Sequence, residues 1–203
     1  MPSWKLRDPS EIARNSKYTF FKSTPEDIAK VAPGEFVKLI FDFESDDPSA
    51  PAAERMWVIV DSIDEGGRFT GRLDNDPVWI KDLKAGDPLA FASVHIISTE
   101  HDHSDNLVER YLPRCFVTSR VLHDGQSAGY LYREEPDTEK DSGRRIMAGD
   151  ESDEYMDESD NIHFVSLGAV LNQDDSFIGC LDSPVGAAFE RDEATGRFVA
   201  AED

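Results

Sequence analysis

The sequence predicts an α+β protein made of two small domains, each a mainly antiparallel sheet with one or two short helices. Short segments of alternating apolar residues are separated by turn residues about every ten positions, a spacing typical of antiparallel sheets. The polar segment 98–106 lacks apolar periodicity and divides the chain. We therefore expect domains over residues 1–98 and 111–203, joined by a linker over residues 99–110.

In the first domain, a helix should begin after Thr24, which can cap it, because Pro25 suits the first helical position. This helix should continue to about Val31. Alternating apolar residues then predict strands over residues 34–43, 55–63, 68–73, 78–83 and 89–97. The turn at residues 65–67 makes the second and third of these strands a hairpin. The result is a small antiparallel sheet or barrel.

In the second domain, residues 115–122 and 129–134 read as two strands of a hairpin, joined by the Asp-Gly turn at residues 124–125. Further strands are expected over residues 145–149, 162–171 and 176–181. The segment 150–161 reads as a helix or an acidic loop. Near the end, Asp182 or Ser183 followed by Pro184 predicts a capped helix over residues 184–194.

The chain is strongly acidic: 42 Asp and Glu against 21 Lys and Arg give a net charge of −21. Residues 1–104 carry −7 of this charge and the remainder −14. Such a surface repels nucleic-acid phosphates and anionic lipids, and it attracts basic surfaces. We therefore expect neither nucleic acid nor a membrane as a partner. The same excess of acids would also fit a protein that needs only solubility.

Three features bear on the compartment. The apolar runs are far shorter than the roughly 20 residues that span a bilayer. The first ten residues do not contain the apolar core of a signal peptide. Cys115 and Cys180 are each flanked by apolar residues, which indicates buried free thiols in a reducing environment rather than a disulfide. We expect a cytoplasmic protein.

Two patterns resemble catalytic or metal-binding motifs. Residues 125–129 match the G-x-S-x-G of hydrolases, but they join two predicted strands and no helix follows, so we interpret them as a hairpin turn. His101 and His103 could bind a metal together with Glu100 or Asp105, but they fall in the predicted linker. We interpret these as solvated polar residues, and we predict no catalytic residue, no metal ligand and no cofactor.

The acidic run 150–160 offers a third possibility. If it is helical, four aspartates share one face: Asp150, Asp153, Asp157 and Asp160. It does not match a calcium-binding EF-hand, because Tyr155 occupies the required glycine position and Asn161 the position of the final glutamate. A looser divalent-cation site and a solvated helix face both remain open.

Local charge density favours a partner-binding surface in this region. Residues 134–160 contain twelve acids and three bases, with aromatic residues interleaved. Aromatic rings among charges of one sign suit an interface, since the field steers encounter and the rings supply buried contact. The predicted surface comprises Tyr132, Glu134, Glu135, Asp150, Glu151, Asp153, Glu154, Tyr155 and Asp157.

A family resemblance covers residues 114–199. The motifs are CFVTSRVL, GYLYREEPD, DSG, RIMAGDESDEYMD, DNI and LDSPVGAAFERD. Through these motifs the second half resembles a family of bacterial immunity-protein-like domains of unknown biochemical function from polymorphic-toxin systems. In that family the DSG motif is usually followed by Trp, whereas this chain has Arg144. A contact made by that Trp would differ here.

The first half resembles a second, uncharacterised bacterial family through AERMWV and FTGRLDNDPVWIKDLKAGD. This resemblance implies a small β-rich module. Neither family implies catalytic residues for this chain.

Together these observations predict a non-enzymatic binding protein that neutralises a cognate toxin through its acidic surface, the partner being a protein with a basic domain. Two alternatives remain open. The acidic cluster could serve a divalent-metal-dependent enzyme, or the protein could be a housekeeping regulatory or adaptor module whose first half binds a peptide or small ligand. The oligomeric state is also left open.

Overall fold

The computed structural model describes residues 2–103 and 105–201. Its described residues form two compact units, the first from residues 2–15 and 20–103, the second from residues 16–19 and 105–201. Each unit contains a six-stranded sheet and short helices, which confirms the predicted α+β class with mainly antiparallel sheets. No helix of the described residues is long and apolar enough to cross a membrane.

The first unit is an all-antiparallel sheet in the order β1-β2-β3-β4-β5, with β6 also paired to β2. Its strands are β1 (Trp4–Leu6), β2 (Phe36–Phe43), β3 (Ala53–Ile63), β4 (Arg68–Leu73), β5 (Pro88–Ala92) and β6 (Ile96–Thr99). A 3-10 turn, Ser93–His95, separates the last two. The predicted hairpin is confirmed as β3 and β4, and Gly67 supplies its turn with the positive φ of 75° that glycine adopts without strain.

The core of this unit follows from the alternation of its strands. Along β3, Met56, Val58 and Val60 point inward and are buried, while their neighbours are more exposed. Two helices accompany the sheet, α1 (Ser10–Asn15) and α2 (Pro25–Ile28). Thr24 caps α2 as predicted, accepting a hydrogen bond from the Asp27 backbone N–H, and the helix ends three residues before Val31.

The strand predicted over residues 78–83 is wrong. These residues are irregular, because the Glu54 carboxylate accepts the backbone N–H groups that a strand would give to its neighbour. Val78, Trp79 and Ile80 donate to Glu54 at 2.8, 3.0 and 3.3 Å. Side-chain capture of this kind competes with strand pairing, and an apolar pattern alone does not reveal it.

The second unit has the strand order β10-β7-β9-β8-β11-β12. Its strands are β7 (Arg114–Thr118), β8 (Tyr130–Arg133), β9 (Asp141–Met147), β10 (Ile162–Ser166), β11 (Ala188–Arg191) and β12 (Phe198–Ala200). The pairing of β7 with β9 is parallel, and the other pairs are antiparallel. The predicted hairpin of residues 115–122 with 129–134 is therefore wrong, since β9 lies between β7 and β8.

The described residues of this unit form four α-helices: α3 (Leu107–Arg110), α4 (Ser119–Leu122), α5 (Asp153–Asp157) and α6 (Leu167–Leu171). Long apolar strands were predicted over residues 115–122 and 162–171. The first part of each is a strand, as predicted, but the second part is a helix. In the second case the cause is visible: the Ser166 hydroxyl accepts the Ala169 N–H and starts α6.

Two further predictions near the end of the chain are wrong. The predicted strand over residues 176–181 is a turn that contains a 3-10 segment, Ile178–Cys180. The segment 184–194, predicted as a helix, is instead two turns with strand β11 between them, which pairs with β8 on one side and β12 on the other. Gly186, at a φ of 90°, turns the chain into β11, so that residues with good helical spacing complete the sheet.

Packing in the second unit places α4 and α6 on one side of the sheet. Val121 from α4 and Val170 from α6 are buried with Val117, Leu131 and Ile146 from the strands. Both cysteines are free, as predicted; Cys115 is buried in this core, whereas Cys180 is only half-buried. Burial raises the pKa of the Cys115 thiol to about 12, so this thiol stays protonated.

Residues 16–19 complete this core from a distant part of the sequence. Tyr18 is only 5% exposed and packs edge-to-face on Tyr111, with ring centroids 5.5 Å apart. Its hydroxyl donates to Asp175 at 2.9 Å and its backbone N–H to the Asn172 side chain at 3.1 Å. Gly168 allows this approach, since a Cβ there would lie 2.3 Å from the Tyr18 carbonyl oxygen.

Replacing Tyr18 with Ala should destabilise the second unit by about 3 kcal/mol, because a buried aromatic ring is lost. Tyr18→Phe keeps the ring and loses one hydrogen bond, so it should cost only about 1 kcal/mol. Amide hydrogen exchange in urea, followed separately in β2–β3 and in β7–β9, measures both effects. An equal loss of protection in β2–β3 would contradict the assignment of residues 16–19 to the second unit.

Candidate partner-binding surface

The second sheet has an inner and an outer face, because successive side chains of a strand alternate. On the inner face, Cys115, Val117, Leu131 and Ile146 are buried under α4 and α6. The intervening residues point to the other side, and four aromatic side chains there are half-buried. They are Phe116, Tyr130, Tyr132 and Phe164.

Three of these rings form a continuous row with Arg145 across four strands. Strand register places Phe164 beside Phe116, Phe116 beside Arg145, and Arg145 beside Tyr132. The Phe164 and Phe116 ring centroids are 4.8 Å apart, and the Arg145 guanidinium lies 4.7 Å from the Phe116 centroid. We call Phe164, Phe116, Arg145 and Tyr132 the aromatic row. The row contains three rings and one guanidinium, which lies between Phe116 and Tyr132.

Arg145 is fixed in this row by carboxylates. Its two terminal nitrogens donate to the two oxygens of Asp141 at 3.0 and 2.9 Å, a bidentate pair. Its Nε donates to Glu134 at 2.5 Å, and Asp137 lies 3.5 Å away. Arg145 is only 7% exposed, and the Asp141 side chain 1%. One guanidinium thus pairs with three carboxylates, of which Glu134 belongs to the predicted acidic surface.

Asp141 also organises the chain around the start of β9. Its carboxylate accepts the backbone N–H groups of Asp137 and Gly143. The hydrogen bonds from Arg145, assisted by these N–H groups, hold the pKa of Asp141 down at about 2. Gly143, with φ of 74°, lets this loop approach, since a Cβ there would lie 2.1 Å from the Glu134 carbonyl oxygen.

Arg144, which follows the DSG motif, points away from the aromatic row. Its guanidinium donates to the carbonyl oxygens of Leu181 and Ser142, and it is half-buried. Burial lowers its pKa. The residue that replaces the usual Trp of the family therefore contacts the interior of the unit and is not part of the outer face.

The structure divides the predicted acidic surface into two groups. The Glu134 N–H binds the Gly143 carbonyl oxygen, at the start of β9, so Glu134 and Glu135 lie at that end. The segment that begins at Asp150 follows the opposite end of the strand. Residues 143 and 149 are separated by roughly 20 Å of extended chain. Tyr132 lies in the aromatic row, between the two groups.

In the second group, three of the predicted residues are built into the fold. Glu151 accepts the Ala148 and Gly149 backbone N–H groups at 2.8 and 2.7 Å and the Thr118 hydroxyl at 2.6 Å. Asp150 pairs with Arg120 at 2.5 Å, and the Arg120 guanidinium lies 4.8 Å from the centroid of Tyr155. These contacts hold the acidic segment against β7 and β9.

Asp153, Glu154 and Asp157 lie on helix α5 and are exposed. The helix is five residues long, so the face of four aspartates that a longer helix would give is wrong. Asp153 and Asp157 remain neighbours at i, i+4 spacing, while Asp150 precedes the helix and Asp160 follows it in a 3-10 turn.

The sequence-based reasoning missed Phe116, Phe164 and Arg145. A signal was present for Phe116, which lies between the buried Cys115 and Val117 along its strand. The apolar runs around the two Phe residues were interpreted as strands of the core. Arg145 was overlooked because acidic residues outnumber basic ones in its part of the sequence. Their shared face depends on the parallel pairing of β7 with β9, which a single sequence does not specify.

The remaining motif residues have structural contacts. Residues 125–129 lead from α4 into β8, rather than joining two strands, and no helix follows them. His101 contacts Glu35 at 2.9 Å, while His163 contacts the Ser119 hydroxyl at 2.6 Å, a pair that the sequence did not predict. Among residues 2–103 and 105–201, no three metal-binding side chains come together.

Asp141→Asn should lower the free energy of unfolding at pH 7 by about 2 kcal/mol, the equivalent of its pKa shift. A lowered pKa stabilises the fold above the unfolded-state value near 3.8, and this contribution is lost as pH falls toward 2. Urea unfolding of both proteins between pH 7 and pH 2 tests this. The wild type should lose its advantage over the variant below pH 4, and a constant difference would contradict the ion-pair argument.

Two family models match the chain. Residues 115–202 match the Immunity protein Imm33 domain, and residues 4–101 match an uncharacterized protein conserved in bacteria, DUF2314. No curated protein and no solved structure matches. Both resemblances deduced from sequence motifs are confirmed. The second unit, which carries the aromatic row, is thus similar to an immunity-protein domain, and that similarity suggests an immunity role with a protein as partner.

Proposed function

We propose that the second unit binds a protein toxin and neutralises it without catalysis, in the bacterial cytoplasm, with the outer face of its sheet as the contact surface. The aromatic row is the observation that carries this proposal. Its rings are half-buried in one sheet face, and aromatic side chains are enriched at the energetic centre of protein interfaces.

The row is suited to binding because it is already ordered. Arg145 is held by Asp141 and Glu134, and it lies against the Phe116 ring. A side chain that is fixed before association loses little conformational entropy when a partner covers it. Phe116 and Phe164 support each other in the same way across β7 and β10.

Acidic side chains at both ends of the row would favour a basic partner. Glu135 is exposed at one end, and Asp153, Glu154 and Asp157 are exposed at the other. Charges around an interface raise the association rate and exclude partners of the same sign. A toxin that acts on nucleic acid needs a basic cleft for phosphates, which an acidic protein can occupy.

Tyr132→Ala combined with Phe164→Ala should abolish neutralisation, because two large contacts at the centre are lost. A basic protein is captured on the immobilised wild-type chain from its native host, identified, and expressed to arrest bacterial growth. Co-expression of the wild type should restore growth, and the double variant should not. Trp57→Ala in the first unit, also half-buried, is the matched control and should restore growth fully.

Unfolding curves should show that the double variant remains folded. If it binds the captured protein with unchanged affinity, the outer face is not the contact surface. If wild-type co-expression does not restore growth, the immunity role itself is contradicted.

Neutralising Asp153, Glu154 and Asp157 together should slow association with the toxin about tenfold at low salt, with little change in dissociation. Surface plasmon resonance between low and high salt measures this. The matched control neutralises Glu44, Asp46 and Asp47, three exposed acids of the first unit, and should leave the rate unchanged. Equal rates for the two triple variants would mean that the charges of α5 do not face the partner.

A further inference from the structure

The first unit contains a cavity that the proposed toxin binding does not use. It has a volume of about 550 Å³ and lies between α2, the turn that joins β3 to β4, and residues 93–94. This volume is within the range of pockets that hold small organic molecules. The lining residues are Lys22, Pro25, Ile28, Ala29, Val31, Ile63, Gly67, Phe69, Ser93 and Val94.

The walls of this cavity are mostly apolar. Ile28, Val31 and Phe69 also belong to the buried core of the unit, so they form a base that is fixed by packing. Ile63 is 37% exposed and Val94 half-buried, which leaves apolar surface accessible to solvent. A ligand that covers these side chains would gain by removing them from water.

Lys22 is the single charged side chain among the lining residues. Its Nζ donates to the Ile96 carbonyl oxygen at 3.0 Å, which uses one of the three donors of an ammonium group. It takes part in none of the ion pairs within 4.0 Å that the described residues form. Two donors therefore remain for a ligand.

The charged neighbours of Lys22 do not replace such a ligand. Asp8 acts on Lys22 electrostatically, but the two are not among the ion pairs within 4.0 Å that the described residues form. His95 accepts the Ala92 N–H through Nδ1, and burial lowers its pKa, so it is neutral at pH 7. Burial likewise lowers the pKa of Lys22, and an anion at Nζ would offset that cost.

We propose that this cavity binds a small apolar carboxylic acid, with the carboxylate on Lys22 Nζ and the apolar body against Ile28 and Phe69. The charge pattern argues for this class of ligand. A cation at an apolar cavity selects an anion that carries an apolar body, since an inorganic anion would leave the walls exposed and a neutral molecule would leave the ammonium unpaired. The site lies within the first unit and does not depend on toxin binding.

Titration of the whole protein with octanoate, followed by amide NMR shifts, tests the proposal. Octanoate should shift resonances around the cavity saturably, whereas octan-1-ol should bind about tenfold more weakly and octyltrimethylammonium should not bind. Lys22→Met keeps the apolar stem and removes the charge, so it should weaken octanoate binding at least about tenfold. Lys84→Met, at an exposed lysine outside the cavity, is the control and should bind as the wild type does.

A second variant separates the cavity from simple ion exchange at the surface. Ile63→Glu places a carboxylate at an exposed lining position, so it should fold normally and bind octanoate at least about tenfold more weakly. Equal affinity of octanoate and octan-1-ol, unchanged binding by Lys22→Met or by Ile63→Glu, or no saturable shift at millimolar octanoate would each overturn the proposal.

Discussion

The ion pair between Arg145 and Asp141 lies at the centre of the second unit, on the strand that joins both halves of its sheet. Strand β9 pairs in parallel with β7 and antiparallel with β8, so every other strand of this sheet is attached to it directly or through one of these two. Asp141 also accepts N–H groups of residues 137 and 143, which folds the preceding loop back along the strand. Because a buried guanidinium without its carboxylate is very costly, this pair fixes the position of the outer face.

Like Asp141, other carboxylates of this acidic chain form contacts within the fold. Several carboxylates serve as internal ligands for backbone N–H groups or cations rather than as surface charge. Glu54 and Glu151 each hold successive N–H groups of a turn, and Asp102 accepts three hydroxyl groups and one backbone N–H near the end of β6. Fewer acids are therefore free to contact another molecule than the composition implies.

Sequence patterns predicted the parts of this fold that depend on neighbouring residues. They failed where the structure depends on pairing between segments that are distant in the sequence. The hairpin of β3 and β4 and the cap at Thr24 depend on neighbouring residues, and both were predictable. The position of β9 between β7 and β8 depends on a parallel pairing that leaves no turn signal. Tyr132 was predicted as a contact residue from its aromatic character. Its neighbours in the aromatic row come from three other strands, so the row could not be predicted without knowing the strand order.

Residues 16–19 have a further consequence for how such a protein can be divided. The region similar to the immunity domain begins at residue 115, yet Tyr18 fills part of the core around which that region folds. A genetic exchange or a proteolytic cut at residue 104 would separate the ring from the cavity that it occupies. A different N-terminal module attached by recombination would have to supply an equivalent four-residue segment for this core. We therefore expect the two regions to have been inherited together, even though their sheets are separate.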